Sequence, residues 1–345
     1  MNKEVLYDLL MTGSVSGNEA EIEKIIYGYM QGKADEVSVD ELGNVTAAVN
    51  TSSPFRVLMT GHADEIGLMV DAVTESGMLK VTGIGGIHVS EYPGHKVRIY
   101  TDRGVIYGAV VSTKEIRDNK DLSPAELEID IGASTKDEAL AAVSLGDPVT
   151  FDTDVRELLG GRICGRALDD RLGAFIVMEA LAAAAARGVS VGAYAAATTG
   201  EETTMNGAYF TASRVKPNIA IAVDVTYTSD YAGIDIGETG DVRLGAGPVV
   251  CNNPSIHKKI NKMLRAAAES AGIALQTEAA NGRTGTDGDV MHRTGVGVPF
   301  ALVSIPLRYM HSPAECADLS DVEDCIKLLT EFLCALTPDV DLKPF

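Results

Sequence analysis

The 345-residue chain has no tryptophan, and aromatic residues make up 5% of it. It therefore lacks the stacking platforms that single-stranded nucleic acid binding uses. Positive charge is also scarce: 29 Lys and Arg stand against 49 Asp and Glu, for a formal net charge of −20. A phosphate backbone would find no basic footprint here, whereas such acidity favours solubility and attracts cations. No run approaches about 18 uninterrupted apolar residues, so no membrane span is expected. Residues Met1–Asp8 have no apolar core of the signal-peptide kind. The five cysteines (Cys164, Cys251, Cys316, Cys325 and Cys334) include no C-x-x-C pair. Their odd number and scatter fit reduced thiols in a cytoplasmic protein better than a disulfide framework.

With 46% hydrophobic and 23% charged residues, the chain can fill the core of one large domain or two ordinary ones. Residues 3–11 and 18–30 read as helices, 37–49 as a hairpin turning at Gly43-Asn44, and 55–60 as a short apolar strand. From about residue 70 to 155 short β-type runs are separated by glycines, with one helix near 135–143. The α/β texture then resumes, with a helix over 174–187, a strand over 191–199, a strand over 215–223, a helix over 256–271 and a strand over 297–305. A last helix opens with a capping box, Ser320 and Glu323. The expected architecture is an α/β domain made of residues 1–70 and 156–345, with a small β-barrel or sandwich inserted at 71–155.

Open α/β sheets bind ligands outside the carboxyl ends of their strands, and this chain places metal-ligating residue types there repeatedly. His62 and Asp64 follow one predicted strand, Glu201 and Glu202 the next, Asp224 a third and His311 a fourth, while Asp169-Asp170 opens the helix between. Each has a plain reading alone: a turn cap for Asp64, a helix N-cap for Asp169-Asp170, a solvated turn for Glu201-Glu202. On neighbouring parallel strands they would converge on one rim, where so many acids repel one another without cations. Imidazole and carboxylate suit zinc, cobalt or manganese. The count fits two ions about 3.5–4 Å apart, with a bridging carboxylate and one acid left to take a proton from water. His88, His95, His257 and His292 follow no such strand and are read as non-ligands. A retaining glycosidase would need two acids about 5 Å apart flanking the bond, which chain neighbours cannot easily do, and a Ser-His-Asp hydrolase lacks its G-x-S-x-G elbow.

These residues, with their surroundings, resemble the M42 family of metallo-aminopeptidases. The motifs that carry the resemblance run nearly end to end. They include Ser16-Gly-Asn-Glu19, Gly61-His-Ala-Asp-Glu-Ile-Gly67, Ala167-Leu-Asp-Asp-Arg-Leu-Gly173, Gly200-Glu-Glu202, Val223-Asp-Val-Thr226 and Arg308-Tyr-Met-His-Ser-Pro313. The resemblance implies a di-metal exopeptidase-like α/β/α sandwich carrying a β-barrel dimerisation domain. It implies two divalent ions per subunit, zinc or cobalt, with His62 and Asp224 on one, Glu202 and His311 on the other, and Asp169 bridging. Glu201 would be general base and then acid, Asp64 would orient His62, and a cis peptide would join Asp169 to Asp170. Family members form dimers and hollow tetrahedral dodecamers, and some carry the name endoglucanase. This chain departs from the family pattern at Tyr227, where a histidine is usual, at Ser112–Arg117, and at the loop Arg283–Gly288.

The expected function is hydrolysis of N-terminal residues from short peptides by a cytoplasmic homo-oligomer, without nucleic acid or membrane. Two alternatives remain open at this level: a di-metal deacylase or amidohydrolase on the same fold, and a non-catalytic assembly protein.

Overall fold

A computed structural model describes residues 1–114, 122–234 and 236–345. Helices α1 (Lys3–Met11) and α2 (Ala20–Met30) lead into the hairpin β1 (Glu36–Val39) and β2 (Val45–Val49), then into β3 (Arg56–His62). Six strands follow: β4 (Gly67–Val73), β5 (Leu79–Ile84), β6 (Lys96–Thr101), β7 (Gly104–Ser112), β8 (Leu127–Asp130) and β9 (Pro148–Phe151), with α3 (Lys136–Ala142) between the last two. They close a barrel in the order β4-β5-β8-β7-β6-β9. Leu68, Leu79, Val97, Ile99, Ile129 and Val149 fill it as a core of its own. Residues 115–117 of the segment that departs from the family pattern lie outside the described residues.

The chain then runs through β10 (Arg156–Glu157), β11 (Arg162–Gly165), α4 (Leu168–Arg187), β12 (Gly192–Thr198), α5 (Asn206–Val215), β13 (Ile219–Tyr227) and α6 (Ile236–Thr239). It continues with β14 (Val249–Asn252), α7 (Lys258–Ala271), β15 (Gln276–Ala279), α8 (Gly288–Met291), β16 (Phe300–Leu307), β17 (Glu315–Asp318) and α9 (Leu319–Ala335). Eight strands form the main sheet in the order β1-β2-β12-β3-β13-β16-β14-β15. Its middle four, β12, β3, β13 and β16, are mutually parallel. They are apolar and buried along most of their length, as strands covered on both faces must be. Helix α4 packs across β12, β3 and β13 and carries α9 against it, while α5 packs with α8 against the sheet. Among the described residues no helix is long and apolar enough to cross a membrane.

Two expectations are corrected. The strand foreseen from Val215 begins at Ile219, because Val215 still ends α5; Lys216 turns left-handed at φ 52°, and Pro217 cannot continue the helix. The strand also runs on to Tyr227, so Asp224 lies within β13 rather than beyond it. The last helix is capped by Asp318, whose carboxylate accepts from Ser320 N at 3.0 Å and Ser320 Oγ at 2.7 Å. A charged N-cap at the end of β17 replaces the Ser320–Glu323 box.

What brings α4 onto the end of β3 is the absence of side chains. A Cβ on Gly61 would lie 2.2 Å from the Gly173 carbonyl carbon and 2.3 Å from Ala174 N. The same corner is tied by Glu65, fully withdrawn from water, which accepts from the guanidinium groups of Arg166 and Arg171. Arg171 also donates to Leu9 O at 2.9 Å and Ser14 Oγ at 2.7 Å. Gly61→Ala is expected to destabilise the fold by about 1–3 kcal/mol through overpacking. The measurement is a urea unfolding midpoint, and an unchanged midpoint would contradict this account of the β3–α4 contact.

Candidate metal centre

The parallel register sets the rim. Thr198 of β12 pairs with His62 of β3, and Asp224 of β13 pairs with Ser304 of β16, so the chain just past each strand emerges at one edge. His62 ends β3, Glu201 and Glu202 follow β12 after Gly200, Asp224 sits near the end of β13, and His311 lies four residues past β16. Asp169 and Asp170 open α4, with non-helical backbone and a cis peptide between them. His62, Asp169, Glu201, Glu202, Asp224 and His311 line one cavity, and Asp64 and Asp170 stand behind it, against His62.

Asp169 is central. Its Oδ1 lies 3.2 Å from His62 Nε2 and its Oδ2 lies 3.2 Å from His311 Nε2. Glu201 Oε2 is 3.8 Å from His62 Nε2, and Glu202 Oε1 is 3.7 Å from His311 Nε2. Two sets of side chains bring ligand atoms within 4.8 Å of one another: His62, Asp169 and Glu202; and His62, Asp170 and Asp224. A cavity of about 270 Å³ opens beside them, lined further by Tyr227, Thr284, Gly285, Thr286 and Met310. The two departures from the family pattern that fall wholly within the described residues thus reach it: Tyr227, half exposed, and the Thr284–Thr286 part of the loop. Arg283 instead turns to Asp289 at 3.1 Å.

The electrostatics are those of anions crowded without cations. Burial above all, then Asp224 and Asp169, pushes the Asp170 carboxyl well above the usual range. Burial does the same to Asp224, raises Glu201 to about 10 and raises Glu202 to about 8. For His311, burial opposes the charge, yet Asp169 and Glu202 outweigh it and lift the imidazole to about 9. His62 likewise rises well above its ordinary value, because Asp169 and Asp64 outweigh burial. Among the described residues no Lys or Arg lines the cavity, and Glu201 Oε1 is buried without a hydrogen-bond partner. Imidazole nitrogens and carboxylate oxygens in this arrangement are the donor set of a divalent metal site, and the residues present fit one.

Asp64 does more than orient His62. His62 Nδ1 lies 3.1 Å from the Asp64 carbonyl oxygen and 3.4 Å from its carboxylate. That carboxylate also accepts from Glu201 N at 3.0 Å, Glu202 N at 3.2 Å and Ser16 Oγ at 2.6 Å. It therefore fixes the turn that carries both glutamates.

Sequence reasoning gave three buried acids no role of their own. Asp170 accepts from His62 N at 3.2 Å and Gly173 N at 3.0 Å, tying the first turn of α4 to β3. Glu315 accepts from Leu168 N at 2.7 Å, Asp169 N at 3.3 Å and His311 N at 2.9 Å. It joins Asp169 to the His311 loop and steadies His311 at φ 64°, a backbone conformation L-residues seldom adopt. Asp287 accepts from Thr198 Oγ1 at 2.6 Å, and burial raises its carboxyl to about 6. The signal available was proximity in sequence to the motif residues: Asp170 beside Asp169, and Glu315 four residues after His311.

Comparison with known proteins gives the geometry its family. The model of M42 glutamyl aminopeptidases matches residues 43–328. A lysyl aminopeptidase of Pyrococcus furiosus is 32% identical over 351 aligned positions, covering 99% of each chain. The TET aminopeptidase from a marine-sediment thaumarchaeote superposes with a TM-score of 0.91 at 31% identity, covering 97% of this chain and 96% of that one. The TET1 peptidase of Pyrococcus horikoshii superposes with a TM-score of 0.86 at 28% identity, over 97% and 99% of the two chains. The chain belongs to the M42 glutamyl aminopeptidase family of peptide hydrolases.

Proposed function

We propose that the protein is a di-metal aminopeptidase that removes N-terminal residues from short peptides. Family membership implies divalent metal ions, and the observation that carries the two-ion reading is Asp169, whose two oxygens face the two histidines, one each. In this reading His62 and Asp224 would hold one ion, Glu202 and His311 the other, and Asp169 would serve both. Zinc or cobalt suits the mixed imidazole and carboxylate set.

When bound, the ions polarise the scissile carbonyl and acidify the attacking water. Glu201 takes the proton from that water and passes it to the leaving amine. Its placement supports that role. The backbone is held by Asp64, one carboxylate oxygen has no partner, and Glu201 belongs to neither set of converging ligand atoms. Its raised pKa reflects burial among anions, and dications bound beside it would lower that value again. Asp64 positions the histidine and the glutamate turn together.

The M42 structures with which this chain superposes include assemblies; the P. horikoshii TET1 peptidase forms a tetrahedron or a large octahedral shell. A homo-oligomer built through the barrel agrees with strand β7, whose Val105, Tyr107 and Val111 stand exposed on one face. A cytoplasmic setting agrees with the scattered, unpaired cysteines.

Excess chelator is expected to abolish hydrolysis of free-amine aminoacyl chromogenic substrates, and cobalt or zinc to restore it. N-acylated analogues run alongside separate the aminopeptidase from a deacylase, and full activity in a verified metal-free preparation sinks the proposal. Glu201→Gln should keep its metal content and lose about 10²–10⁴-fold in turnover; loss of metal instead would show Glu201 to be a ligand. Tyr107→Glu should shift the particle toward smaller species in light scattering, and an unchanged mass would remove β7 from the interface.

A further inference from the structure

We infer that the Gly85-Gly86 turn of the inserted barrel is a positioning element of the metal centre, set against both ligands of one ion and neither ligand of the other. The inference rests on the ligand assignment proposed above. Strand β5 ends at Ile84, and the turn that follows passes over the rim of the other domain. His311 Nδ1 lies 2.8 Å from the Gly86 carbonyl oxygen. A carbonyl only accepts, so Nδ1 carries the hydrogen. That leaves Nε2 as the ligand atom, aimed at Asp169 Oδ2 and Glu202 Oε1. Metal-bound histidines are commonly held this way, through their second nitrogen.

The close approach favours glycine at both positions. A Cβ on Gly86 would stand 3.1 Å from both Nδ1 and Cε1 of the His311 ring, and no other atom counted lies within 4 Å of it. Gly85 sits at φ +73°, where its Cβ would meet Ile66 Cγ2 at 2.7 Å and Glu202 Cβ at 3.3 Å. Positive φ favours glycine independently of that contact. His62 is fixed instead by Asp64, from its own strand end, and Asp224 by Val225 N at 2.7 Å. The barrel therefore reaches one half of the centre. An ion held by Glu202 and His311 depends on a backbone turn that the catalytic sheet does not supply.

The test is cobalt uptake by the full-length protein at graded free cobalt, with ions per subunit counted by mass spectrometry and the fold checked by near-ultraviolet circular dichroism. Wild type should bind two ions. Gly86→Ala should bind the first at the same free cobalt and need about 10–100-fold more for the second, the usual loss when a ligand histidine's outer partner is disturbed. Should Gly86→Ala fail to fold, Ile87→Ala takes its place. It removes the side chain that packs beside Gly83 without adding an atom against the ring, and should weaken the second ion in the same sense. Two-ion curves identical to wild type overturn the inference, as does equal weakening of both ions in a folded variant. A wild-type protein that never binds a second ion overturns the di-metal reading itself, and this inference with it.

Discussion

Asp169, Asp170, Glu201, Glu202, Asp224 and Glu315 crowd one rim of a parallel sheet, almost wholly withdrawn from water, with two imidazoles as the facing positive groups. Two like charges about 4 Å apart repel by about 4 kcal/mol at an effective dielectric near 20, and several such pairs meet here. Protonation is the first relief, and the upward shifts of Asp170, Asp224, Glu201, Glu202 and Glu315 express it. Divalent cations are the second, and they leave the acids ionised and able to act. The geometry favours the second. Asp169 stays ionised, held down by both histidines against the pull of burial, and points one oxygen at each.

A rim of this kind holds its shape only if its backbone is fixed by carboxylates that several donors answer. The structure supplies them in pairs of contacts that cross between elements. Glu65 ties the segment after β3 to Arg166 and Arg171, on either side of Asp169. That triad is buried, and removing one partner of a buried ion pair leaves the other charge unanswered. Glu315 ties the start of α4 to the His311 loop, and Asp64 ties the glutamate turn to β3. Each of these carboxylates accepts from two or three donors. They are therefore anchors, whereas Glu201 keeps one oxygen without a partner.

Much of this was legible in the sequence, for a physical reason. A parallel strand buried on both faces reads as a continuous apolar run, so the polar residue that ends it stands out. His62 after Met59-Thr60-Gly61 and Glu201 after the alanines of β12 announce themselves in that way. Periodicity also separated the glycine-punctuated barrel strands from the α/β texture around them. The α5–β13 junction did not yield to the same reasoning, because apolar residues stand on both sides of it, Val215 closing α5 and Ile219 opening β13, and the break is confined to Lys216-Pro217-Asn218 between them. Asp64 was read as a partner of its neighbour two residues back. Its bonds to the amides of Glu201 and Glu202 span 137 and 138 positions of chain, and no local pattern encodes them. Glu315, inside the short strand β17, has no strand end to announce it.

The barrel is where local reading is least able to reach. As a sequence it is a self-sufficient unit with its own turn signals, and as a structure it has its own core, so nothing in its composition points to the metal centre. Its bearing on that centre comes through one backbone carbonyl and two missing side chains, at Gly85 and Gly86. A carbonyl has no residue identity, and a glycine beside a turn is ordinary. The contact becomes visible only when two domains, each legible alone, are set against each other. A change at Gly85 or Gly86, far in sequence from Glu202 and His311, therefore bears directly on those two side chains, whereas His62 and Asp224 are held from the ends of β3 and β13.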